Sequence, residues 1–399
     1  GAATPASVAA ARPAGLALGA NRRANSDASS DPIQLPNGPT YPVPAALQKG
    51  KCYQNGGLTD GASFANNGDV MIAGVIYNPV AYNWIRSTGS YLQSTLQQKM
   101  PAKGQIGTMG QMPPGSIVLK PMMWPVPSSG YSALPLWDNA TQDNDTYAGF
   151  ENQKIWPRAV AVSARPTRPS ATDVTYLYGG VTLATGGTAP VTYRQARIVT
   201  VDQFYHYQPD LASMEECDRA LLDASAIYAY NRPFRQGDYL VLIAMHIMTK
   251  EQPAWTFQSV FWSDRPDDGQ QGKDKPIIPS AQGPWRHYQM ASTYGMAAST
   301  HPPVWGVHFN PYIELAADHP IQTNCMNCHH RAAYPSRGTG KTGQYLTGLA
   351  TDPGKIGVVA LTNPIFQDLE LTDNQWSLPN RAKGLQAAPA GGGGGKAKR

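Results

Sequence analysis

Charge is scarce in this chain of 399 residues: Asp, Glu, Lys and Arg together make up 15% of it, where about 25% is usual. That scarcity argues against a long, salt-bridge-laced helix or a coiled coil. With only four cysteines, a small disulfide-built scaffold is excluded. No apolar run approaches the ~18 residues of a membrane-spanning helix, so no transmembrane segment is expected. Repeats with a period of roughly 20–50 residues are absent as well. The run Gly338-Thr339-Gly340-Lys341-Thr342 lacks the first glycine that a phosphate-binding loop needs at its fixed spacing. Neither Met nor His occurs after His330.

The net charge of +5 is not spread over the chain. Arg381, Lys383, Lys396, Lys398 and Arg399 account for it, because no acid follows residue 380 and the other 27 bases match the 27 acids. A nucleic-acid partner requires a basic face on the folded body, and composition offers none. The chain begins Gly1-Ala2-Ala3-Thr4, as a processed or trimmed chain would.

What is present points to strands. Hydrophobic residues make up 41%, beside 39 Gly, 35 Pro, 9 Trp and 20 Tyr, a composition suited to short strands and long loops around a substantial core. Residues 70–77, 117–123, 159–164, 173–178 and 191–201 are short β-branched or aromatic runs between turn residues. Residues 239–248 are nearly all apolar, as in a strand covered on both faces, and Trp255, Phe257 and Phe261 mark a neighbouring strand. Two helices are expected. One covers 82–100, where Trp84, Tyr91, Leu92, Leu96 and Met100 share a face; the other comes after Ser213, which has capping-box spacing to Glu216. Segments 101–116 and 264–284 read as loops. The fold class is therefore mainly β: a sandwich-like body with long loops.

The decisive signal is Cys325-Met326-Asn327-Cys328-His329, the C-x-x-C-H arrangement of c-type haem attachment. Two thiols three positions apart can add to the two vinyl groups of one haem, and the adjacent His then supplies the proximal nitrogen to iron. Chance would produce this pentapeptide in a chain of this length and composition at a rate of roughly 6 in 10,000. Two other readings stay open. A zinc site would use the Cys pair with His329 or His330 but needs a further ligand and has no second Cys pair. A redox disulfide would ordinarily open a helix in a βαβ setting, which the pattern lacks.

Around the motif, Asn310-Pro311-Tyr312-Ile313-Glu314 and Asn324 to Ala333 resemble the haem segment of a family of exported bacterial monohaem c-type cytochrome-like proteins. Upstream, Met245-His246-Ile247-Met248-Thr249-Lys250 with Pro253 and Trp255 resembles the same family, as does Asp373-Asn374-Gln375-Trp376-Ser377-Leu378-Pro379 near the end. The likeness covers roughly residues 230–380, and only the pentapeptide is highly specific. Asp264-Arg265-Pro266 departs from the pattern, where a more Asn-like turn is expected. The resemblance implies export and one covalent haem c, but no substrate.

These readings divide the chain into an extended arm (1–40), a β-rich body (41–300), a haem segment packed on that body with a short helix (301–385), and a flexible Gly-rich basic tail (386–399). Cys325 and Cys328 are the expected thioether donors and His329 the proximal iron ligand. Haem c is attached outside the bacterial cytoplasmic membrane, so a periplasmic, secreted or surface location is expected, together with the cytochrome c maturation machinery as a partner. In that oxidising setting Cys52 and Cys217 are candidates for a disulfide. A distal Met downstream of the motif, as in small cytochromes c, is excluded because all twelve Met lie at or before Met326. His246, in the most apolar strand, is the candidate distal ligand. His287, Met290, Met296, His301, His308 and His319 are rivals, and an open position is the other alternative. The expected function is electron transfer to a redox partner protein. A haem enzyme of peroxidase or oxygenase type with an open iron position, and a binding or assembly protein carrying a redox haem, are the alternatives.

Overall fold

The computed structural model describes residues 32–34, 40–42, 72–137, 156, 158–176, 191–273, 275–276, 278, 283–293, 310–312, 325–335 and 360–382. Strands dominate it, in agreement with the composition. In chain order they are β1 (Pro32–Gln34), β2 (Thr40–Pro42), β3 (Ile72–Ala73), β4 (Ile76–Tyr77), β5 (Ile106–Thr108), β6 (Ile117–Val126), β7 (Tyr131–Leu136) and β8 (Arg158–Ser163). They continue as β9 (Ala171–Tyr176), β10 (Val191–Thr200), β11 (His206–Tyr207), β12 (Tyr239–Thr249), β13 (Thr256–Trp262), β14 (Tyr288–Thr293), β15 (Ala333–Tyr334) and β16 (Leu369–Leu371). The helices are α1 (Pro79–Thr88), α2 (Gln93–Gln98), α3 (Glu216–Tyr230), α4 (Gly269–Lys273), α5 (Cys325–His329) and α6 (Ser377–Arg381).

The apolar run at 239–248 becomes the centre of the largest sheet, in the order β14-β13-β12-β6-β3, with β11 also on β12 and β4 also on β6. All of its pairings are antiparallel. A second sheet runs β7-β8-β10-β9 and is mixed, since β8 and β10 are parallel. One hydrophobic cluster joins the two, taking Met122 to Val126 from β6, Leu240 to Ala244 from β12, Val160 to Val162 from β8, and Leu221, Leu222 and Ala226 from α3. Trp124, Phe204 and Trp262 are buried in it; at roughly 1.5–3 kcal/mol for each large side chain removed from water, this cluster is the main source of stability. Trp124 keeps its indole N–H satisfied by donating to Ser132 Oγ at 2.9 Å.

The other half of β12 packs into a second cluster. Val118, Met248, Trp255 and Phe257 meet Ala81, Ile85, Leu96, Met109, Met112, Cys325, Met326, Tyr334 and Leu378 there. A small third sheet, β15-β16-β5, stands beside it, with β15 antiparallel and β5 parallel to β16.

Several local expectations are corrected. The helix read over 82–100 is two helices, α1 and α2, because the chain turns at Gly89 with φ +68°, a left-handed conformation that ends a helix and suits glycine. Asn78 starts α1, its Oδ1 accepting from Ala81 N at 3.0 Å, with Pro79 in the first turn. α3 begins after Glu215 with no side-chain cap; Ser213 instead donates its hydroxyl to Asp210 O (2.9 Å) within a preceding turn. The run at 70–77 splits into β3 and β4, and the segments read as loops contain β5 and α4. For β3, β4 and β5 it is pairing with β6 and β16, not composition, that makes the strand.

Candidate functional site

α5 carries the C-x-x-C-H motif on a single helical turn, continued by a bond from His330 N to Met326 O (2.8 Å). Cys325 is buried at 8% exposure and Met326 at 0%. Both sit in the cluster built on Met248 and Phe257, which face each other across β12 and β13. The Phe257 and His329 rings lie 5.0 Å apart between centroids. The side chain of Cys328 lies outside the described residues.

The path of the chain beyond α5 determines where His329 points. The chain enters β15, which pairs with β16 so that Ala333 faces Leu371 and Tyr334 faces Glu370. Thr372 N continues that ladder by donating to Ala332 O at 3.0 Å. The chain then turns sharply through Asp373 (φ 45°) and Asn374 (φ 68°), residue types that accept the left-handed region better than most. Gln375 N closes the turn on Thr372 O at 2.9 Å. This geometry sets Asn374 O 2.8 Å from His329 Nδ1. A carbonyl cannot donate, so Nδ1 carries the proton, and in that tautomer Nε2 is the nitrogen with the ring's lone pair.

A buried ion pair anchors the turn. Lys250 Nζ reaches Asp373 Oδ1 at 2.8 Å, with exposures of 3% and 6% for the two side chains. Lys250 also donates to Pro253 O (2.7 Å) and lies 4.9 Å over the Trp255 ring. Asp373 Oδ2 accepts from Met112 N at 2.8 Å. Burial pushes the Lys250 amine down and the Asp373 carboxyl up, and their mutual hydrogen bond opposes both shifts. Gln375 Nε2 meets Met248 Sδ at 3.8 Å, tying the turn back to β12.

His246 is half-buried on β12 and sits two residues before Met248, so their side chains project from the same face of the sheet. Its cross-strand neighbours are Ser259 on β13 and Lys120 on β6. Asn310 Nδ2 donates to Ser259 Oγ (2.8 Å) and to Val260 O (3.2 Å), while Tyr312 donates its hydroxyl to Pro135 O at 3.1 Å. The four stretches that carry the family resemblance, around residues 245–255, 310–312, 325–333 and 373–379, therefore all pack on or beside β12 and β13.

The rivals of His246 separate by position. Met290 faces Val260, one residue out of phase with Ser259, and so belongs to the opposite sheet face. His287 stacks on Trp262 at 6.4 Å, in the main core cluster. His330 has Nδ1 buried with no hydrogen-bond partner among the described residues. Burial, then the nearby Arg331, pushes its pKa down to about 4, so the ring is neutral near pH 7. Met296, His301, His308 and His319 lie outside the described residues. So does Cys52, as does the side chain of Cys217 in α3, and with them the candidate disulfide.

Sequence reading put Phe257 on a strand and Lys250, Asp373 and Asn374 in the resembling stretches, but gave none of the four a part in the site. The available signal was an Asp-Asn pair where a tight turn needs residues tolerant of positive φ, but its partner 45 positions away is set only by the β15–β16 pairing. Among the described residues no group of three or more His, Cys, Asp and Glu side chains is gathered to hold a metal ion. A c-type haem does not need such a group, since it takes two thioethers and one nitrogen from the motif. Of the groups such a cofactor would use, the described residues show an oriented His329 imidazole and a buried Cys325, packed in one apolar cluster with Met109, Met112, Met248, Met326, Trp255 and Phe257. Comparison with protein-family models, with curated proteins and with solved structures returns no match for this chain.

Proposed function

We propose that this chain is an exported monohaem c-type cytochrome that transfers electrons to and from a redox partner protein. The observation that carries the reading is the bond from His329 Nδ1–H to Asn374 O, made by the one His that the attachment motif designates as ligand. Cys325 and Cys328 are the thioether donors and His329 Nε2 is the proximal ligand. Bound there, haem c supplies an iron that exchanges one electron.

The chain's own residues do the rest. Asn374 O holds the His329 ring in one tautomer and one orientation. Met248, Met326, Trp255 and Phe257, all buried, keep water away and let the site keep its shape when its charge changes. His246, on the same sheet face as Met248, is the distal ligand in this reading, and a nitrogen donor there favours electron exchange over small-molecule chemistry. The motif also implies a periplasmic, secreted or surface location and attachment by the cytochrome c maturation machinery. No described helix is long and apolar enough to cross a membrane.

Intact mass and acid–organic extraction of protein from the native host test the reading. The expected result is a mass greater than the polypeptide by one haem, and haem that stays with the chain on extraction. A bare polypeptide mass would overturn it. A haem-loaded chain with a high-spin ferric spectrum would instead move the assignment to a haem enzyme with an open iron position.

A further inference from the structure

We infer that the buried Lys250–Asp373 ion pair is a positioning device for the proximal histidine: it clamps the turn whose Asn374 carbonyl receives His329 Nδ1–H, and so holds the iron toward its ferric state. This inference rests on the proposed haem site. Two observations carry it besides that bond.

The first is that the contacts of the pair join three separate pieces of chain. Lys250 directly succeeds β12, and its amine also holds Pro253 O in the β12–β13 connection (2.7 Å). Asp373 holds Met112 N from the loop before β6 (2.8 Å) as well as the amine. The pair thus fastens three segments at one point. Buried ion pairs seldom stabilise a fold more than apolar side chains of similar size would, so defining one geometry is the role such a pair fills best.

The second is the backbone. Asp373 and Asn374 both have positive φ; these residue types adopt it singly, but two in succession need surrounding contacts to hold them. It is also the conformation that brings the Asn374 carbonyl to His329. An imidazole that donates Nδ1–H to a fixed carbonyl is a stronger donor through Nε2 and favours the higher oxidation state of a bound metal. Loosening the turn weakens that bond and should raise the midpoint potential.

The test uses the full chain, with covalent haem verified by mass, and compares wild type with Lys250→Met/Asp373→Leu and with Lys250→Met alone. The double variant removes both charges, so loss of a local charge predicts no change in potential, whereas loss of the clamp predicts a rise. The expected rise corresponds to a tenfold or larger change in the reduction equilibrium, about 59 mV for one electron. NMR should also show the His329 Nδ1–H exchanging at least tenfold faster. If the double variant does not fold, Lys250→Met decides: the carboxylate left behind would lower the potential or, once protonated, leave it unchanged, while loss of the clamp raises it. A folded, haem-loaded double variant with unchanged potential and unchanged ring-proton exchange would overturn the clamp. A chain lacking haem would overturn the cytochrome reading, and ring-proton exchange would still test the clamp in it.

Discussion

The carboxylate of Glu370 on β16 fills the space that a side chain on Gly107 would need. The two residues are direct neighbours in the parallel β5–β16 pairing, and Pro101 closes the same space from the side. Glu370 is only 2% exposed, so its carboxyl has little room to withdraw. Gly107→Ala should cost about 1–3 kcal/mol, the usual range for overpacking. Denaturant unfolding would measure this, and Gly107→Ala/Glu370→Ala should recover part of the loss, because the two sites share one volume.

The same carboxyl predicts a pH dependence. Burial raises the pKa of Glu370 to about 7, opposed by Lys99. Burial, then Glu215, raises that of Asp218 to about 7 as well. Unfolded carboxyls titrate near 4, so between about pH 4 and 7 each of these two groups holds a proton in the folded chain that it has lost in the unfolded one. Their contribution to stability should therefore fall as pH rises through that window and remain lower above it, while the depressed His330 contributes with the opposite sign below its ordinary value. Glu370→Gln should remove part of the slope and stabilise the protein by about 1–2 kcal/mol at pH 8 relative to its effect at pH 4. Unfolding curves at the two pH values check the sign.

Asp238 behaves oppositely. Burial would raise its pKa, but Arg232 and the amides of Ser128 and Arg235 outweigh this and bring it to about 2. Arg232 grips both carboxylate oxygens at 2.6 and 2.9 Å, and Tyr230 also donates to it at 3.2 Å. This stabilisation is fully present above the unfolded value near 4 and is lost as pH falls through 2. Asp238→Ala leaves a guanidinium and two amides without their acceptor and should cost about 3–5 kcal/mol near neutral pH. Thermal unfolding would show it as a large drop in midpoint.

On the proposed assignment, His246→Ala should change a low-spin ferric spectrum to high-spin and let cyanide or imidazole bind at the iron. The native spectrum should lack a methionine–iron charge-transfer band. An unchanged low-spin spectrum in the variant would remove His246 from the distal role, and Met248, two residues along the same face, would then be the residue to replace next.

Asn78 offers a smaller and independent check. Its Oδ1 accepts from Ala81 N and from Ile117 N, both at 3.0 Å, so it caps α1 and ties it to the start of β6. Asn78→Ala should cost about 1–2 kcal/mol, while Asn78→Asp keeps the acceptor, loses only the amide's bond to Gly115 O (2.9 Å), and should cost less. Denaturant midpoints for the pair distinguish a lost acceptor from a lost side-chain volume.

Sequence periodicity located most of the strands that carry the core. β6, β8, β9, β10, β12 and β13 lie within a few residues of the runs at 117–123, 159–164, 173–178, 191–201, 239–248 and 255–261, because burial on a pleated surface selects β-branched and aromatic residues. β5 and β16 were not legible. Ile106–Thr108 contains a glycine and Leu369–Leu371 a carboxylate; β5 is a strand because β16 lies beside it, and β16 because β5 and β15 flank it. The motif at 325–329 was plain from its spacing. The residues that aim His329 were not: the Asp373-Asn374 pair signals a turn, but the β15–β16 register that brings it to His329 is encoded by no local pattern.

The burial of Cys325 among Met326, Tyr334 and Leu378 has a consequence for the order of assembly. Sulfur can attack a vinyl group only while both are within reach, and the folded cluster leaves this side chain 8% exposed. On the cytochrome reading, attachment therefore precedes the closing of β15 onto β16, and the newly exported chain must present residues 325–329 as an open segment. A protein expressed without the attachment machinery would condense this cluster first, and its thiol would label with a bulky alkylating reagent only as fast as the cluster opens.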